Sequence, residues 1–378
     1  DIEKIDDTAM DIKKIDKNFD TTFIPPEDIE WFSIQELPFE MRGVFYAKEE
    51  GLYRRIPKAI ADATNEGVAH LSKHTAGGRV RFVTDSPYVA VRAEEPFEQP
   101  FSHMTVAGKC GVSLFVDSAF AGTIMPSYEQ IVKADKERGG NGVIVFDGIK
   151  YPYIESGNAY QSEIFLPLYS AVSSIYVGLK KGCKLQTPKA YKHNNPVLFY
   201  GSSITQGGCA SKPGDDYVNM LCRMLDTDIW NLGFSGSARA EQVMAEYIAE
   251  QNPSVFVLDY DHNAPDAEHL KNTHFELYET VRKVHSTTPI IMMTMPTIEG
   301  YENREWYKPR REEILKSFAK AKELGDKNVY LVDCYGCFGA SVSGECGTVD
   351  DCHPNPLGFL RMAERVYPIL EALLNGEK

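Results

Sequence analysis

Two patterns of apolar and polar residues divide the chain into two parts. Between residues 31 and 187, apolar and polar residues alternate in short runs such as "GVSLFVDSAFAGTIM", and turn residues separate the runs. An alternation of period two places every second side chain on one face of a strand, and many short strands with regular turns are typical of a β-sandwich. We therefore predict an all-β, jelly-roll-like sandwich for residues 31–187. Within it, the Ser-Pro pair of "GRVRFVTDSPYVAVRAE" (78–94) predicts a hairpin.

The pattern changes after a stiff polar connector that contains Asn194, Asn195 and Pro196. Five short apolar runs follow, each before a longer segment with helical periodicity: "VLFY", "IWNLG", "SVFVLDY", "PIIMMTM" and "VYLVD". Apolar strands that alternate with helices are typical of a parallel sheet covered on both faces. Residues 196–378 are therefore predicted to form an α/β/α domain with a parallel five-stranded sheet. Residues 1–30, which are charged and weakly patterned, are predicted to form an N-terminal arm.

Charge narrows the range of partners. The 378 residues include 40 Lys and Arg against 54 Asp and Glu, which gives a formal net charge of −14. This charge disfavours nucleic acids and anionic membranes as partners. No apolar run reaches the roughly 18 residues that a membrane-spanning helix needs. The chain begins at Asp1 rather than Met, and we expect a secreted or periplasmic protein whose export signal has been removed. The sequence does not indicate an oligomeric state.

The eight cysteines raise the question of a metal site. Cys334 and Cys337, together with Cys346, Cys352 and His353, leave a zinc site open as an alternative. The second half of this group lacks the paired C-x2-C spacing of a zinc knuckle. Buried free thiols, or one disulfide among these four cysteines, are the simpler interpretation. We predict neither a metal nor a cofactor.

Polar residues follow the predicted strands of the second part, at the edge where parallel sheets place their active sites. Ser203 lies just after the first strand, Gly233 ends the second, and Asn263 follows the third. Asp350 and His353 lie three residues apart after the last strand, a spacing that lets the carboxylate orient the imidazole in a tight turn. Each residue alone also fits an ordinary cap, turn or strand end. Together they supply the nucleophile, base, orienting acid and oxyanion donors that a serine hydrolase requires.

The blocks that carry these residues resemble the SGNH (GDSL-like) hydrolase superfamily over almost the whole of the second part. They are G-S-S-I-T, N-L-G, D-H-N and D-x-x-H-P, of which the last is the most specific. The resemblance implies a flavodoxin-like fold and esterase activity. It also implies that Ser203 is the nucleophile, that His353 is the general base and then acid, and that Asp350 orients His353. The oxyanion hole would combine the backbone N–H groups of Ser203 and Gly233 with the side-chain amide of Asn263.

Two blocks depart from the family's pattern. The usual Gly-Asp-Ser is Gly-Ser-Ser here, so Ser202 replaces an acid and is the alternative nucleophile. The usual Gly-x-Asn-Asp block reads Asp261-His262-Asn263-Ala264, which lacks the glycine and the trailing acid. His262 is an alternative base beside the predicted donor.

The first part resembles the GxDLY-type β-sandwich that often precedes such hydrolases. "GVSLFVD" (111–117) is similar to the G-x-D-L-Y signature, with Ser113 and Phe115 in place of Asp and Tyr. By resemblance, this combination is typical of bacterial proteins that act on carbohydrates. We therefore expect a serine esterase that removes a short acyl group, first of all acetyl, from a carbohydrate.

The expected partner is thus a small-molecule or polysaccharide ester. A thioesterase or lysophospholipase on the same scaffold and a catalytically inactive carbohydrate-binding protein are the alternatives. Aromatic residues near predicted loops could stack on a sugar, although packing within the sandwich also explains them: Tyr88, Phe97, Phe101, Tyr128, Tyr151 and Tyr153.

Overall fold

The computed structural model describes residues 15–16, 23–99, 101–137, 142–154, 157–301, 304–339, 344 and 346–376. The predicted arm at residues 1–30 therefore lies largely outside the described residues. In the described part of the chain, none of the helices has the length and apolar character that a bilayer crossing requires.

Two antiparallel sheets form most of the first domain. One sheet has the strand order β1-β11-β6-β9, with bounds Ile29–Ser33 for β1, Ser174–Lys180 for β11, Val89–Pro96 for β6 and Val143–Lys150 for β9. The other has the order β12-β5-β10-β7-β8, with bounds Leu185–Gln186 for β12, Arg79–Thr84 for β5, Tyr160–Phe165 for β10, Val112–Val116 for β7 and Ala119–Ile124 for β8. The strand β2 (Glu40–Arg42) pairs with β5, and β3 (Phe45–Ala47) pairs with β4 (Leu52–Arg54).

Apolar side chains fill the space between the two sheets. Val80 and Phe82 of β5 are buried in the same cluster as Val89 and Val91 of β6. The predicted sandwich is therefore confirmed. The predicted hairpin at residues 78–94 is wrong, because β5 pairs with β10 in one sheet while β6 pairs with β11 in the other. The Ser-Pro turn thus carries the chain across the core rather than back along the same sheet.

Short helices interrupt the strands in the described part of the first domain: α1 (Lys58–Thr64), α2 (Glu66–Leu71), α3 (Val106–Cys110) and α4 (Tyr128–Lys136). The last of them begins with a capping box, in which Ser127 and Gln130 each accept a hydrogen bond from the other's backbone N–H. The side chain of Asn65 caps α2 by accepting a hydrogen bond from the N–H of Val68.

The second domain contains a five-stranded parallel sheet, as predicted. Its order is β14-β13-β15-β16-β17, with bounds Thr227–Gly233 for β14, His193–Gly201 for β13, Val255–Asp259 for β15, Ile290–Met293 for β16 and Val329–Val332 for β17. The helices are α5 (Ser203–Gln206), α6 (Tyr217–Leu225), α7 (Gln242–Glu250), α8 (Ala267–Val284), α9 (Lys308–Glu323) and α10 (Pro356–Leu374). A 3-10 helix, Asp261–Asn263, follows β15.

Both faces of the parallel sheet are buried. In β13, Val197 and Phe199 pack into one apolar cluster, whereas Leu198 and Tyr200 pack into another on the opposite face. This arrangement explains why the strand is a continuous apolar run rather than an alternating one. The chain moves from β13 to β14 on one side and to β15 on the other, so a crevice opens at the carboxyl ends of these strands.

The sandwich packs along β14, the edge strand of the parallel sheet. Near the start of β14, the carboxylate of Asp228 forms ion pairs with Arg79 and with Arg42, the latter at 3.0 Å. Farther along, helix α1 packs against α7. The first domain therefore reaches from one end of this strand to the other.

Candidate active site

The turn after β13 gives the two adjacent serines different contacts. Ser202 is the N-cap of α5, and its buried Oγ accepts a hydrogen bond from the N–H of Ile204 at 3.1 Å. Ser203 is the next residue, and its Oγ lies 3.0 Å from Nε2 of His353. Ser203 is 7% exposed, so its hydroxyl is sheltered but still reaches the surface of the domain. The alternative nucleophile Ser202 is thus occupied as a helix cap.

A tight turn before α10 brings Asp350 and His353 together. Oδ2 of Asp350 lies 2.8 Å from Nδ1 of His353, and Oδ1 of Asp350 accepts hydrogen bonds from the N–H groups of His353 and Cys352. Burial acts to raise the pKa of Asp350, but the hydrogen bonds from the backbone and ring of His353 outweigh it, and the pKa lies below its usual value. An ionised carboxylate at Nδ1 leaves Nε2 as the nitrogen that faces Ser203.

The structure does not make the N–H of Gly233 available to a substrate. This N–H donates to Oδ1 of Asn231 at 2.8 Å. A Cβ atom at position 233 would lie 2.2 Å from the backbone nitrogen of Gln206, so glycine is needed here for the close approach of β14 to α5. The prediction that Gly233 is an oxyanion donor therefore needs correction.

Gly236, three residues later, is the glycine that meets Asn263. Its φ is +66°, and its N–H donates to Oδ1 of Asn263 at 3.1 Å. The Nδ2 of Asn263 donates to the carbonyl of Phe234 at 2.7 Å, which leaves its second N–H unused by that bond. We refer to Phe234–Gly236 as the oxyanion loop, for the role that we propose for Gly236. Sequence reasoning missed Gly236, although the glycine of "FSG" directly after the N-L-G block was a visible signal.

The first residue of the D-H-N block is anchored two positions before Asn263. Asp261 is buried, and its Oδ1 accepts a hydrogen bond from Nε of Arg310 at 2.9 Å while its Oδ2 accepts one from the N–H of Met295. His262 points elsewhere, with Nδ1 3.8 Å from Sγ of Cys352, and burial lowers its pKa to about 3. The structure therefore gives His262 no hydrogen bond to Ser203 and leaves it uncharged.

Aromatic residues of the first domain reach the site. The ring of His103 lies 5.3 Å from that of His353, and the ring of Phe101 lies 6.1 Å from that of His103. Both residues precede α3, which approaches the segment after Gly208: Oγ1 of Thr105 donates to the carbonyl of Ser211 at 2.8 Å. One wall of the crevice thus comes from the sandwich.

Of the residues in the alternative zinc site, His353 is the one that belongs to a group of possible metal ligands among the described residues. Cys334 and Cys337 are buried in an apolar cluster. Among the described residues, two groups bring metal-ligating atoms within 4.8 Å of one another: His103, Cys209, Asp350 and His353 in one, and His70, His74 and Glu98 in the other. Burial raises the pKa of the Cys209 thiol to about 12, so this cysteine is a neutral thiol beside His353.

Two family models match the sequence, one for each domain. Residues 194–371 match the GDSL-like lipase/acylhydrolase family. Residues 29–185 match GxDLY, the N-terminus of SGNH-hydrolase-type esterases. None of the curated proteins compared with the chain matches its sequence significantly.

Several solved structures share the arrangement of both domains. A protein of Bacteroides ovatus ATCC 8483 described as a GDSL-like lipase is 26% identical, with a TM-score of 0.78 over 92% of this chain and 98% of that one. The salicylyl-acyltransferase SsfX3 from a tetracycline biosynthetic pathway is 18% identical, with a TM-score of 0.71 over the same shares. An acetyl xylan esterase from the rumen bacterium Butyrivibrio proteoclasticus is 13% identical, with a TM-score of 0.56 over 92% of this chain and 99% of that one.

The latter two likenesses concern the fold alone. The two family models, by contrast, follow each other along the sequence and together span most of it. Residues 194–371 are therefore a GDSL-like lipase/acylhydrolase domain that follows a GxDLY domain at residues 29–185, and the chain is an ester-hydrolysing enzyme.

Proposed function

We propose that the protein is a serine esterase in which Ser203 is the nucleophile, His353 the general base and Asp350 the residue that orients His353. The observation that carries this proposal is the continuous chain of two contacts, 3.0 Å from Ser203 to His353 and 2.8 Å from His353 to Asp350. Such a chain activates a hydroxyl that is otherwise a weak nucleophile. The same chain argues against a catalytically inactive binding protein.

The reaction would proceed through an acyl-enzyme. Nε2 of His353 takes the proton of Ser203 as Oγ bonds to the ester carbonyl carbon, and the carbonyl oxygen becomes an oxyanion. The alcohol then leaves with the proton from His353, so that the acyl group stays on Oγ. Water then attacks the carbonyl carbon of the acyl-enzyme and gives a proton to His353. The acid is released as Oγ of Ser203 takes that proton back.

The oxyanion would be bound by the backbone N–H groups of Ser203 and Gly236 and by the side-chain amide of Asn263. Gly236 here replaces Gly233 of the sequence prediction, since the bond from the Gly233 N–H to Asn231 is buried, whereas the bond from the Gly236 N–H to Asn263 is exposed and open to a substrate. In the free enzyme the Gly236 N–H and the Asn263 amide are bonded to each other. An oxyanion of full charge competes well for such donors, and catalytic hydrogen bonds often align only when substrate is present.

The proposed substrate is a short acyl ester, first of all acetyl, of a carbohydrate. The likeness in fold to an acetyl xylan esterase supports this choice. Phe101 supports it as well, because its ring is 42% exposed and lies beside His103 at the site. Two of the other aromatic candidates, Tyr88 and Phe97, are buried in the sandwich. A polysaccharide ester would be encountered outside the cytoplasm, so the proposal includes a secreted or periplasmic location.

Hydrolysis of p-nitrophenyl acetate, butyrate and octanoate, together with acetate release from acetylated xylan and acetylated monosaccharides, tests the proposal. We expect acetate to be the fastest ester and Ser203→Ala to lower kcat by roughly 10⁴-fold or more. Ser202→Ala is the matched control and should remain active, although it loses a helix cap. Retained activity in Ser203→Ala would overturn the choice of nucleophile.

A separate comparison of esters tests the choice of substrate. Faster turnover of octanoate than acetate, with no acetate released from any sugar, would favour the lysophospholipase or thioesterase alternative. An added alcohol that captures the acyl group in preference to water would instead indicate acyl transfer, the activity named for SsfX3.

A further inference from the structure

Gln206 connects the nucleophile helix to the oxyanion loop and to the first domain. It is the last residue of α5, and its side chain is fully buried. Its Oε1 accepts a hydrogen bond from the N–H of Ser235 at 3.0 Å. Its Nε2 lies 3.1 Å from the carbonyl of Leu168 and 3.2 Å from Nδ1 of His74, both of which belong to the sandwich domain. The amide is thus fixed at both ends, with its donors turned toward the other domain.

The contacts of His74 determine which of its nitrogens carries the proton. Nε2 of Gln206 is a donor, so Nδ1 of His74 must accept and carries no proton. Nε2 of His74 then carries the proton and donates to Oε2 of Glu98 at 2.8 Å. His74 is 1% exposed, and burial lowers its pKa, which keeps the ring neutral. Glu98 therefore orients His74 so that its free lone pair faces Gln206.

Arg55 holds the other side of the oxyanion loop. Its guanidinium is fully buried, and each hydrogen bond that it makes ends on a backbone carbonyl: those of Leu71, His74, Asn231 and Gly233. The same guanidinium lies over the ring of Phe234, 4.6 Å from its centroid. Burial lowers the pKa of Arg55 to about 9. Arg55 of the sandwich domain thus contacts both the carbonyl of Gly233, just before the oxyanion loop, and the ring of Phe234, the first residue of that loop.

We infer that His74 and Arg55 of the sandwich domain are positioning residues for catalysis, because they fix the oxyanion loop through Gln206 and Gly233. This inference rests on the proposed function, in which Gly236 and Asn263 bind the oxyanion. Gly233 directly precedes the oxyanion loop and Ser235 lies within it, next to Gly236. Arg55 holds the carbonyl of Gly233, and Gln206 holds the N–H of Ser235. Oxyanion donors act through geometry set before the reaction, and a displacement of about 1 Å can lower the rate by roughly 10²-fold.

Two substitutions of His74 separate its two contacts. The side-chain oxygen of Asn can take the place of Nδ1, whereas the longer side chain of Gln reaches the place of Nε2. His74→Gln should therefore keep the contact with Glu98, lose the acceptor for Gln206, and lower kcat by roughly 10–100-fold with little change in KM. His74→Asn should recover most of that loss. Should His74→Gln fail to fold, Gln206→Met removes the same bond, together with the bonds to Ser235 and Leu168, at nearly constant side-chain length, and should lower kcat at least as much.

Two further readouts locate the effect: the first tests whether the contacts of Ser203 and His353 are disturbed, and the second, which a merely structural role would not move, tests the oxyanion site. The midpoint of the pH–rate profile should stay unchanged in His74→Gln, because the Ser203–His353–Asp350 contacts are not altered. The inhibition constant of phenylboronic acid, which forms a tetrahedral adduct on the serine oxygen, should rise together with the loss of kcat. Arg42→Met is the matched control, since it removes a contact between the domains at the opposite end of β14 and should leave kcat unchanged.

Three results would overturn the inference. Wild-type kcat in folded His74→Gln would show that the contact with Gln206 is not needed. An equal loss in Arg42→Met would show a general effect of weaker domain packing. Activity that requires Zn²⁺ bound at His70, His74 and Glu98 would assign His74 Nε2 to a metal instead. Failure of the proposed function is distinguishable, because Ser203→Ala would then keep the activity of the wild type.

Discussion

Nε2 of His353 lies 3.0 Å from Oγ of Ser203, although the two residues are 150 positions apart in the sequence. The useful orientation of this ring depends on Asp350, whose carboxylate contacts the opposite nitrogen at 2.8 Å. Asp350→Asn could donate to Nδ1 and so favour the wrong tautomer of His353. We expect kcat to fall by roughly 10³–10⁴-fold with an unchanged circular dichroism spectrum. A variant with near wild-type turnover would remove Asp350 from the mechanism.

Asn263→Ala should impair the transition state more than substrate binding. It removes the amide that bonds both Gly236 and Phe234, and loss of one oxyanion donor costs roughly 10²–10³-fold in kcat. Steady-state kinetics with p-nitrophenyl acetate should show this loss in kcat with a similar KM. His262→Gln, at the adjacent position, should remain close to the wild type. If His262→Gln were the inactive variant instead, His262 would become the candidate base.

Activity should persist in EDTA, whereas added Zn²⁺ should inhibit. The ligating atoms of His103, Cys209, Asp350 and His353 lie within 4.8 Å of one another, and nitrogen and thiolate ligands suit this ion. A metal on His353 would prevent it from accepting the proton of Ser203. Cys209→Ser should therefore weaken inhibition, measured as the Zn²⁺ concentration for half-maximal activity, without changing the rate in EDTA. Identical inhibition of the variant would place the inhibitory ion elsewhere.

Asp259 should make the protein less stable as the pH rises toward neutrality. It is fully buried, and burial raises its pKa from 3.8 to about 7 despite hydrogen bonds from Tyr217 and Thr205 that act to lower it. Between these two values the folded state holds a proton that the unfolded state has released, so the free energy of unfolding falls as the pH increases through this window.

Asp259→Asn cannot ionise, while its amide oxygen can still accept from Thr205 and Tyr217. Relative to the wild type, the variant should gain stability as the pH rises from 4 to 8. Only in the wild type is an ionised carboxylate buried away from water at the higher pH, which costs free energy. Urea unfolding at several pH values measures this difference. Parallel profiles for the two proteins would show that Asp259 does not titrate in this window.

The sheet and its functional edge could be predicted because apolar strands and helices alternate in the second part, and parallel strands bring their carboxyl ends to one edge. Ser203, Asp350 and His353 are accordingly near one another in the structure. The proposed oxyanion donors were harder to predict, because Gly233 ends β14 and Gly236 lies only three residues later. Only the close approach to Gln206 shows that Gly233 is a packing glycine.

Contacts between the domains could not be predicted in the same way. Nothing in the local pattern of "LYRRIPK" indicates that Arg55 bonds carbonyls far along the chain, since this depends on how two separately patterned units pack. The prediction of a hairpin at residues 78–94 was wrong for a related reason. A turn sequence shows that the chain reverses direction, but not which sheet receives the next strand.

The contacts of Arg55 indicate whether the sandwich domain can be separated from the second domain. Its guanidinium lies among carbonyls of both domains, so separating the domains would expose the charge on one side and leave the carbonyls of Asn231 and Gly233 without donors on the other. Buried polar groups that lose their partners are costly. The two domains should therefore melt together in one cooperative transition. Replacing this sandwich with an unrelated binding domain would require a new donor at the end of β14.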